Sequence, residues 1–79
     1  MSPLPKSRVA TAVNKRIAAN LRATRLAKNV AQMALADAIG VTFQQVQKYE
    51  SGVNRVSAPT LFLIAQALDE PVQNFFAGA

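Results

Sequence analysis

The sequence contains no cysteine and no histidine, and only four of its 79 residues are acidic. Without cysteine, the fold can have neither a disulfide framework nor a thiolate metal site, which is compatible with a reducing cytoplasm. The four acids, Asp37, Glu50, Asp69 and Glu70, offer no credible metal cluster, acid–base pair or activated nucleophile. We therefore expect a protein that is not an enzyme and that uses no metal and no cofactor.

Long apolar runs are also missing, although 51% of the residues are hydrophobic. No stretch approaches the roughly 18 apolar residues that a membrane span requires, and the N-terminus lacks the apolar segment of a signal peptide. We expect a soluble, cytoplasmic protein that is not inserted in a membrane. A chain of 79 residues has room for one small domain.

Basic residues are concentrated in the N-terminal part of the chain. The net charge is +5, and the first 28 positions contain no acid but seven of the nine cations, namely Lys6, Arg8, Lys15, Arg16, Arg22, Arg25 and Lys28. Such a charge distribution favours a polyanionic partner, either nucleic acid or an anionic membrane surface. On charge alone, a solvated basic face without any partner is an equally good interpretation.

The first ten residues, MSPLPKSRVA, combine two prolines and two cations without helical periodicity. They predict a flexible basic N-terminal arm, followed by a single folded domain over residues 11–79. The first helix is expected to run from Thr11, as its N-cap, to Lys28. Asn29 can then adopt the left-handed conformation that ends a helix.

Four further short helices are indicated by capping residues and glycines. The residues that mark the starts of the last three are Thr42, Ser57 with Pro59, and Pro71, and those that mark ends are Gly40, Gly52 and Phe76. No stretch alternates between apolar and polar residues with period two, so we predict five helices and no sheet.

The third helical segment, TFQQVQKYES, carries forked hydrogen-bonding side chains on one face. Val46 and Tyr49 can enter the core, and Gln44, Gln45 and Lys48 share the other face. A glutamine amide matches the N7 and N6 edge of adenine, and lysine can donate to N7 and O6 of guanine in the major groove. Taken alone, this face is either a base-reading surface or a set of merely solvated side chains.

The segment QMALADAIGVTFQQVQKYESG, from Gln32 to Gly52, resembles the helix-turn-helix of the phage repressor and Cro-like (XRE) family. The matching features are Gln32, the Leu35–Ala36 pair, Ile39–Gly40–Val41 at the turn, Val46, Tyr49, and Glu50 with Gly52. The flanking segments look like the other helices of that family, so the resemblance covers roughly residues 12–77. It implies an all-α, compact five-helix lambda-repressor-like domain in which helices 2 and 3 form the helix-turn-helix.

The resemblance also implies roles for individual residues. Base contacts are expected from Phe43, Gln44, Gln45 and Lys48, with Phe43 either packing on a thymine methyl or covering the core. Phosphate contacts are expected from Gln32, Thr42, Asn54 and Arg55, to which we add the arm cations Lys6 and Arg8. Arg25 and Glu50 are expected to form a structural ion pair.

Four positions depart from the family pattern: Met33 and Ala34 stand where acidic or polar residues are common, and Ala31 and Asp69 stand at helix ends. Ala31 stands where a serine or threonine commonly caps the second helix, so about 1 kcal/mol of capping is missing there. Asp69 replaces a common helix-ending glycine, which is tolerable because aspartate enters the left-handed region more readily than most residues.

The function implied by the resemblance is sequence-specific binding of double-stranded DNA by a transcriptional regulator, here predicted to be a repressor acting as a homodimer on a palindromic operator. Recognition helices in such dimers are held roughly 34 Å apart, and we predict a small dimer patch of Leu63, Val72 and Phe75, although one exposed leucine is ordinary. The alternative function is an antitoxin-type protein that binds its own promoter and a partner toxin or other protein. A basic membrane-binding peptide is the other rival, and the capped short helices argue against it.

Overall fold

The computed structural model describes residues 6–79, with side chains from Arg8 onward. This part of the chain contains four α-helices, a final 3₁₀ helix and no strand: α1 (Lys6–Ala27), α2 (Gln32–Ile39), α3 (Phe43–Ser51), α4 (Ala58–Ala67) and the 3₁₀ helix Val72–Phe76. The predicted all-α class is confirmed. No helix in the described range combines the length and the apolar character needed to cross a membrane.

The predicted fifth α-helix is a 3₁₀ helix, so the count of five α-helices was wrong. The segment is only five residues long, which is too short for an α-helix to recover the cost of its nucleation. Its backbone N–H groups bond three residues back, as from Asn74 to the oxygen of Pro71 at 3.0 Å. The side chain of Asn20 in α1 donates to the carbonyl oxygens of Phe75 and Ala77, at 2.8 and 2.9 Å, and thereby holds this segment on α1.

Helix α1 begins at Lys6, five residues before the predicted N-cap Thr11. The segment from Lys6 to Ala27 contains neither proline nor glycine, so nothing in it interrupts a helix once started. Residues 6–10 of the predicted flexible arm are therefore helical, and the remainder of that prediction, residues 1–5, lies outside the described residues. At the other end of α1, Asn29 has a φ of 58°, as predicted.

The helix-turn-helix is built by local capping interactions. Gly40 ends α2 in the left-handed region, at a φ of 74°, and its N–H donates to the oxygen of Ala36. The hydroxyl oxygen of Thr42 accepts a hydrogen bond from the N–H of Gln45 at 3.1 Å and so starts α3. Gly52 ends α3 at a φ of 79°. These boundaries agree with the sequence-based prediction because each depends on residues that are neighbours in the chain.

One apolar core joins all five helical elements. It comprises Ile17, Leu21, Leu35, Ala36, Ile39, Val46, Leu61, Ile64, Ala65, Leu68 and Phe75. Phe75 is completely buried, and burying so large an aromatic side chain is among the main contributions to a small core. The prediction that Phe75 belongs to a dimer patch is therefore wrong, since its side chain is not accessible to a second chain.

Candidate nucleic-acid interface

The outer face of α3 presents a row of polar side chains to solvent. Gln44 and Lys48 are exposed and Gln45 is half-buried, whereas Val46 is fully buried on the opposite face. Phe43, at the first turn, is 36% exposed, so part of its ring remains accessible. The structure thus places the four predicted base-contacting residues together at the start and along one side of α3, whose other side fastens it to the core.

A buried ion pair fixes α3 against α1. The guanidinium of Arg25 donates to both carboxylate oxygens of Glu50, from Nε at 2.6 Å and from Nη2 at 3.0 Å. The remaining guanidinium nitrogen, Nη1, donates to the backbone oxygen of Val30 at 2.8 Å. The two residues that the sequence paired therefore do lie together, in the bidentate geometry that arginine and carboxylate prefer.

The environment of the pair favours the charged form of Arg25. The hydrogen bonds to Glu50 raise the pKa of Arg25 above its ordinary value, against the opposing effect of burial. No buried side-chain nitrogen or oxygen in the described part of the chain lacks a hydrogen-bond partner. Such complete pairing is what allows a charge pair to be buried at this junction.

Gln32 extends the same network to the first turn of α2. Its Nε2 donates to Oε1 of Glu50 at 3.0 Å, and the residue is half-buried. Because an amide nitrogen carries two hydrogens, the second hydrogen remains available for a partner outside the protein. The side chain predicted to contact a phosphate is thus held in place by Glu50, at the start of a helix where backbone N–H groups also favour an anion.

The loop between α3 and α4 is attached to the first half of α1. Asn14 donates from Nδ2 to the oxygen of Gly52 at 3.1 Å, and Nη2 of Arg55 lies 3.4 Å from Oγ1 of Thr11. The backbone N–H of Asn54 bonds to the oxygen of Lys48 at 3.2 Å. The loop that carries the predicted phosphate ligands Asn54 and Arg55 therefore has a defined position beside the end of α3.

The remaining predicted residues are Leu63, Val72, Arg8 and Lys6. Leu63 and Val72 are 43% and 41% exposed, and the neighbouring Phe62 is 55% exposed. Phe62 and Val72 share the wall of one shallow groove. Arg8 is exposed on α1, and the side chain of Lys6 lies outside the described atoms.

Sequence reasoning missed a second concavity beside α3. Arg22, Gln47 and Ser51 line it together with Gln32 and Glu50. Gln47 and Ser51 were not among the residues predicted to contact DNA. The available signal was the seven-residue spacing of the cations Arg8, Lys15 and Arg22 on one helix.

Comparisons with known proteins show the family to which the chain is similar. The profile of the helix-turn-helix family matches residues 21–75. An uncharacterized HTH-type transcriptional regulator of Sinorhizobium fredii is 46% identical over 76 residues, which are 96% of this chain and 53% of that protein. One from Rickettsia conorii is 41% identical over 73 residues, which are 92% of this chain and 58% of that protein. The chain therefore spans little more than half the length of these relatives.

Two solved structures share the fold, each with a TM-score of 0.77. The clp gene regulator ClgR from C. glutamicum is 28% identical, and the match covers 80% of this chain and 82% of that one. The restriction-modification controller protein C.AhdI from Aeromonas hydrophila is 31% identical, and the match covers 82% of this chain and 98% of that one. With the predicted resemblance thus confirmed, the chain belongs to the XRE-type helix-turn-helix family of DNA-binding transcriptional regulators.

Proposed function

We propose that this chain binds a specific double-stranded DNA sequence and represses transcription by occluding it, as a homodimer on a palindromic operator. The observation that carries the proposal is the outer face of α3, where Gln44 and Lys48 are exposed opposite the buried Val46. A helix of this kind fits the major groove, where each base pair presents a distinct pattern of donors and acceptors.

Base choice in this proposal comes from the row on α3. The amide of Gln44 donates to N7 of adenine and accepts from its N6 amino group. The ammonium of Lys48 donates to N7 and O6 of guanine. Gln45 stands beside them, and the accessible edge of Phe43 suits a thymine methyl. These roles are supported by the position of the four residues on one helix that is capped at both ends.

Phosphate contacts in this proposal come from the residues that surround α3. Gln32 retains one amide hydrogen after its bond to Glu50, and the Thr42 hydroxyl accepts from Gln45 and keeps its own hydrogen to donate. Asn54 and Arg55 lie on the loop at the other end of α3. Such contacts set the position of the protein on the duplex without selecting bases, and Lys6 and Arg8 are assigned to the same class.

Two-fold assembly is supported by an exposed apolar surface on α4 and the 3₁₀ helix. Leu63 and Val72 are the residues that we assign to the dimer contact, with Phe62 as an addition from the structure. A dimer sets two copies of α3 in successive major grooves, roughly 34 Å apart, and so predicts a palindromic site. Repression then follows from occupancy of the operator, with no catalytic step.

Binding measurements on two variants of α3 test the reading face. Gln44→Ala and Lys48→Ala should each weaken binding to the preferred duplex by about 1 to 3 kcal/mol and relax base choice at one position. Arg16→Ala is the control, since it removes an exposed cation that lies beside Gly78 and not on α3. Unchanged affinity of both α3 variants for preferred and random duplexes would show that the reading face has been misassigned.

A further inference from the structure

The described basic side chains divide into those with a partner in the protein and those without one. Arg25 bonds to Glu50 and Val30, Lys28 bonds to Glu70 and to the oxygen of Asp69, and Arg55 bonds to Thr11. In the part of the chain that the structure describes, the cations without a hydrogen bond or ion pair to the protein are Arg8, Lys15, Arg16, Arg22 and Lys48. These five charges are free to bind an external anion.

Three of these free cations lie in a line along α1, and we call Arg8, Lys15 and Arg22 the basic stripe. They follow one another at seven-residue intervals, which is nearly two turns of an α-helix, at about 10.5 Å per interval. All three are exposed. The stripe is therefore about 21 Å long, and α1 contains no acidic residue that would offset its charge.

One end of the basic stripe adjoins the surface where phosphates are expected. Arg22 lines a concavity with Gln32, Gln47 and Ser51, and Ser51, Arg22 and Lys15 line a neighbouring groove. Gln32 is the predicted phosphate ligand of α2, and Ser51 ends α3. Gln47, whose amide has no partner in the described part of the protein, therefore faces the cation of Arg22 across this concavity.

Glu50 lines the concavity but does not neutralise the positive charge of Arg22 there. Glu50 contributes to the wall, but its carboxylate is 3% exposed and bonded to the guanidinium of Arg25. The first half of α1 is also fixed on this side of the molecule, because Asn14 bonds to Gly52. Arg22 and Lys15 thus carry an unbalanced positive charge beside the C-terminal half of α3.

We propose that the basic stripe is a second DNA-backbone surface, in which Arg22 and Lys15 bind phosphates beside those bound by Gln32. The Arg22 guanidinium and the Gln47 amide donate hydrogen bonds to phosphate oxygens in the concavity, whereas the hydroxyl of Ser51 already donates to the oxygen of Lys48 at 3.2 Å. Arg8 continues the same contact toward the start of α1. This inference rests on the proposed function, and it assigns to α1 a role in affinity that is independent of base choice.

The dependence of binding on salt distinguishes this role from a general effect of charge. Each phosphate that a cation neutralises contributes about 0.9 to the slope of log K against log salt concentration. Arg22→Ala should therefore reduce the magnitude of this negative slope by about 0.9. The factor by which affinity falls between 50 and 200 mM salt should then be about 3.5-fold smaller than for the parent protein. Lys15→Ala combined with Arg22→Ala should reduce the magnitude of the slope by about 1.8, and Arg22→Lys should preserve the slope.

Arg16→Ala is the matched control for Arg22→Ala. It removes the same side chain from the same helix, but Arg16 lies about 120° around α1 from Arg22 and packs beside Gly78. The slope of this variant should equal that of the parent protein. Melting temperatures should not change in either variant, because neither side chain has a hydrogen-bond partner within the described part of the protein.

The inference is contradicted if Arg22→Ala keeps the parent slope, or if Arg16→Ala lowers the slope by the same amount. Both slopes are measured on a preferred duplex and on a random duplex, and a backbone contact predicts an equal change on the two. If the proposed function is wrong, the parent protein shows no preferred duplex. The comparison of Arg22→Ala with Arg16→Ala on random DNA still decides the role of the basic stripe in that case.

Discussion

Replacement of Glu50 by glutamine tests the ion pair that fastens α3 to α1. The carboxylate of Glu50 accepts hydrogen bonds from Nε of Arg25 at 2.6 Å, from Nη2 of Arg25 at 3.0 Å and from Nε2 of Gln32 at 3.0 Å. Glutamine retains one acceptor oxygen but places an N–H group where the other oxygen stood. A donor then faces another donor, and the charge of Arg25 is left buried without a counterion.

The expected magnitude follows from the burial of the pair. The side chains of Arg25 and Glu50 are only 8% and 3% exposed, and removal of one partner from a buried pair costs about 3 to 5 kcal/mol. Because glutamine keeps one acceptor and Arg25 keeps its bond to Val30, we expect a value near the lower limit, about 3 kcal/mol. For a domain of this size, that corresponds to a decrease in Tm of about 12 to 24 °C.

Thermal and urea unfolding followed by circular dichroism measures this loss, with Glu70→Gln as the control. Glu70 lies 3.4 Å from Lys28 in a more exposed pair, and a hydrogen bond from Asn74 keeps the pKa of Glu70 below its ordinary value. The control therefore removes an ionised carboxylate at pH 7, but from a position where an ion pair contributes little to stability.

The reasoning would be refuted if the Tm of Glu50→Gln were equal to the Tm of Glu70→Gln. A second variant separates the effect of the unpaired charge from the effect of the donor–donor contact that the glutamine introduces. Replacement of both partners, as Arg25→Met with Glu50→Leu, removes the uncompensated charge and should restore much of the lost stability. If the double variant is less stable than Glu50→Gln, the unpaired charge is not the cause of the loss.

Three further changes have expected outcomes. Ala31→Ser should raise the free energy of unfolding in urea by about 1 kcal/mol, since Ala31 has the extended conformation of an N-cap without a side-chain hydrogen bond; an unchanged midpoint would mean that the cap is not limiting. Arg55→Ala should weaken binding to preferred and random duplexes alike and flatten the salt slope by about 1, and a loss confined to the preferred duplex would contradict a phosphate role. Leu63→Glu should keep the helical spectrum, shift sedimentation toward monomer and reduce binding to a full palindrome more than to a half-site; parental sedimentation and binding would place the dimer contact elsewhere.

Helix boundaries were predictable from the sequence wherever a local interaction sets them. Thr42, Gly40 and Gly52 each act through neighbouring backbone groups, so their side-chain chemistry was sufficient. The start of α1 was not predictable in this way, because Lys6 carries no capping signal and the prolines before it suggested a break. The last segment was misjudged because Pro71 and the two phenylalanines indicate a helix but do not distinguish α from 3₁₀ geometry over five residues.

The candidate site was only partly predictable, for a related reason. The row of Gln44 and Lys48 follows from the period of a single helix, and that part of the site could be derived from α3 alone. The burial of Phe75 and the concavity around Arg22 depend on how α1 lies against the other elements. Spacing within one helix does not determine such contacts, since they arise from packing between segments that are distant in the sequence.

Selection of bound duplexes from a random pool tests the central claim of sequence-specific DNA binding most directly. The account predicts a single enriched motif with two-fold symmetry, whose half-sites are centred about 10 to 10.5 base pairs apart or a multiple of that distance. Gln44→Ala, selected in parallel, should lose the preference at one symmetric pair of positions. A pool that remains random after repeated selection, or an identical motif from Gln44→Ala, would contradict the assignment of α3 as the reading helix.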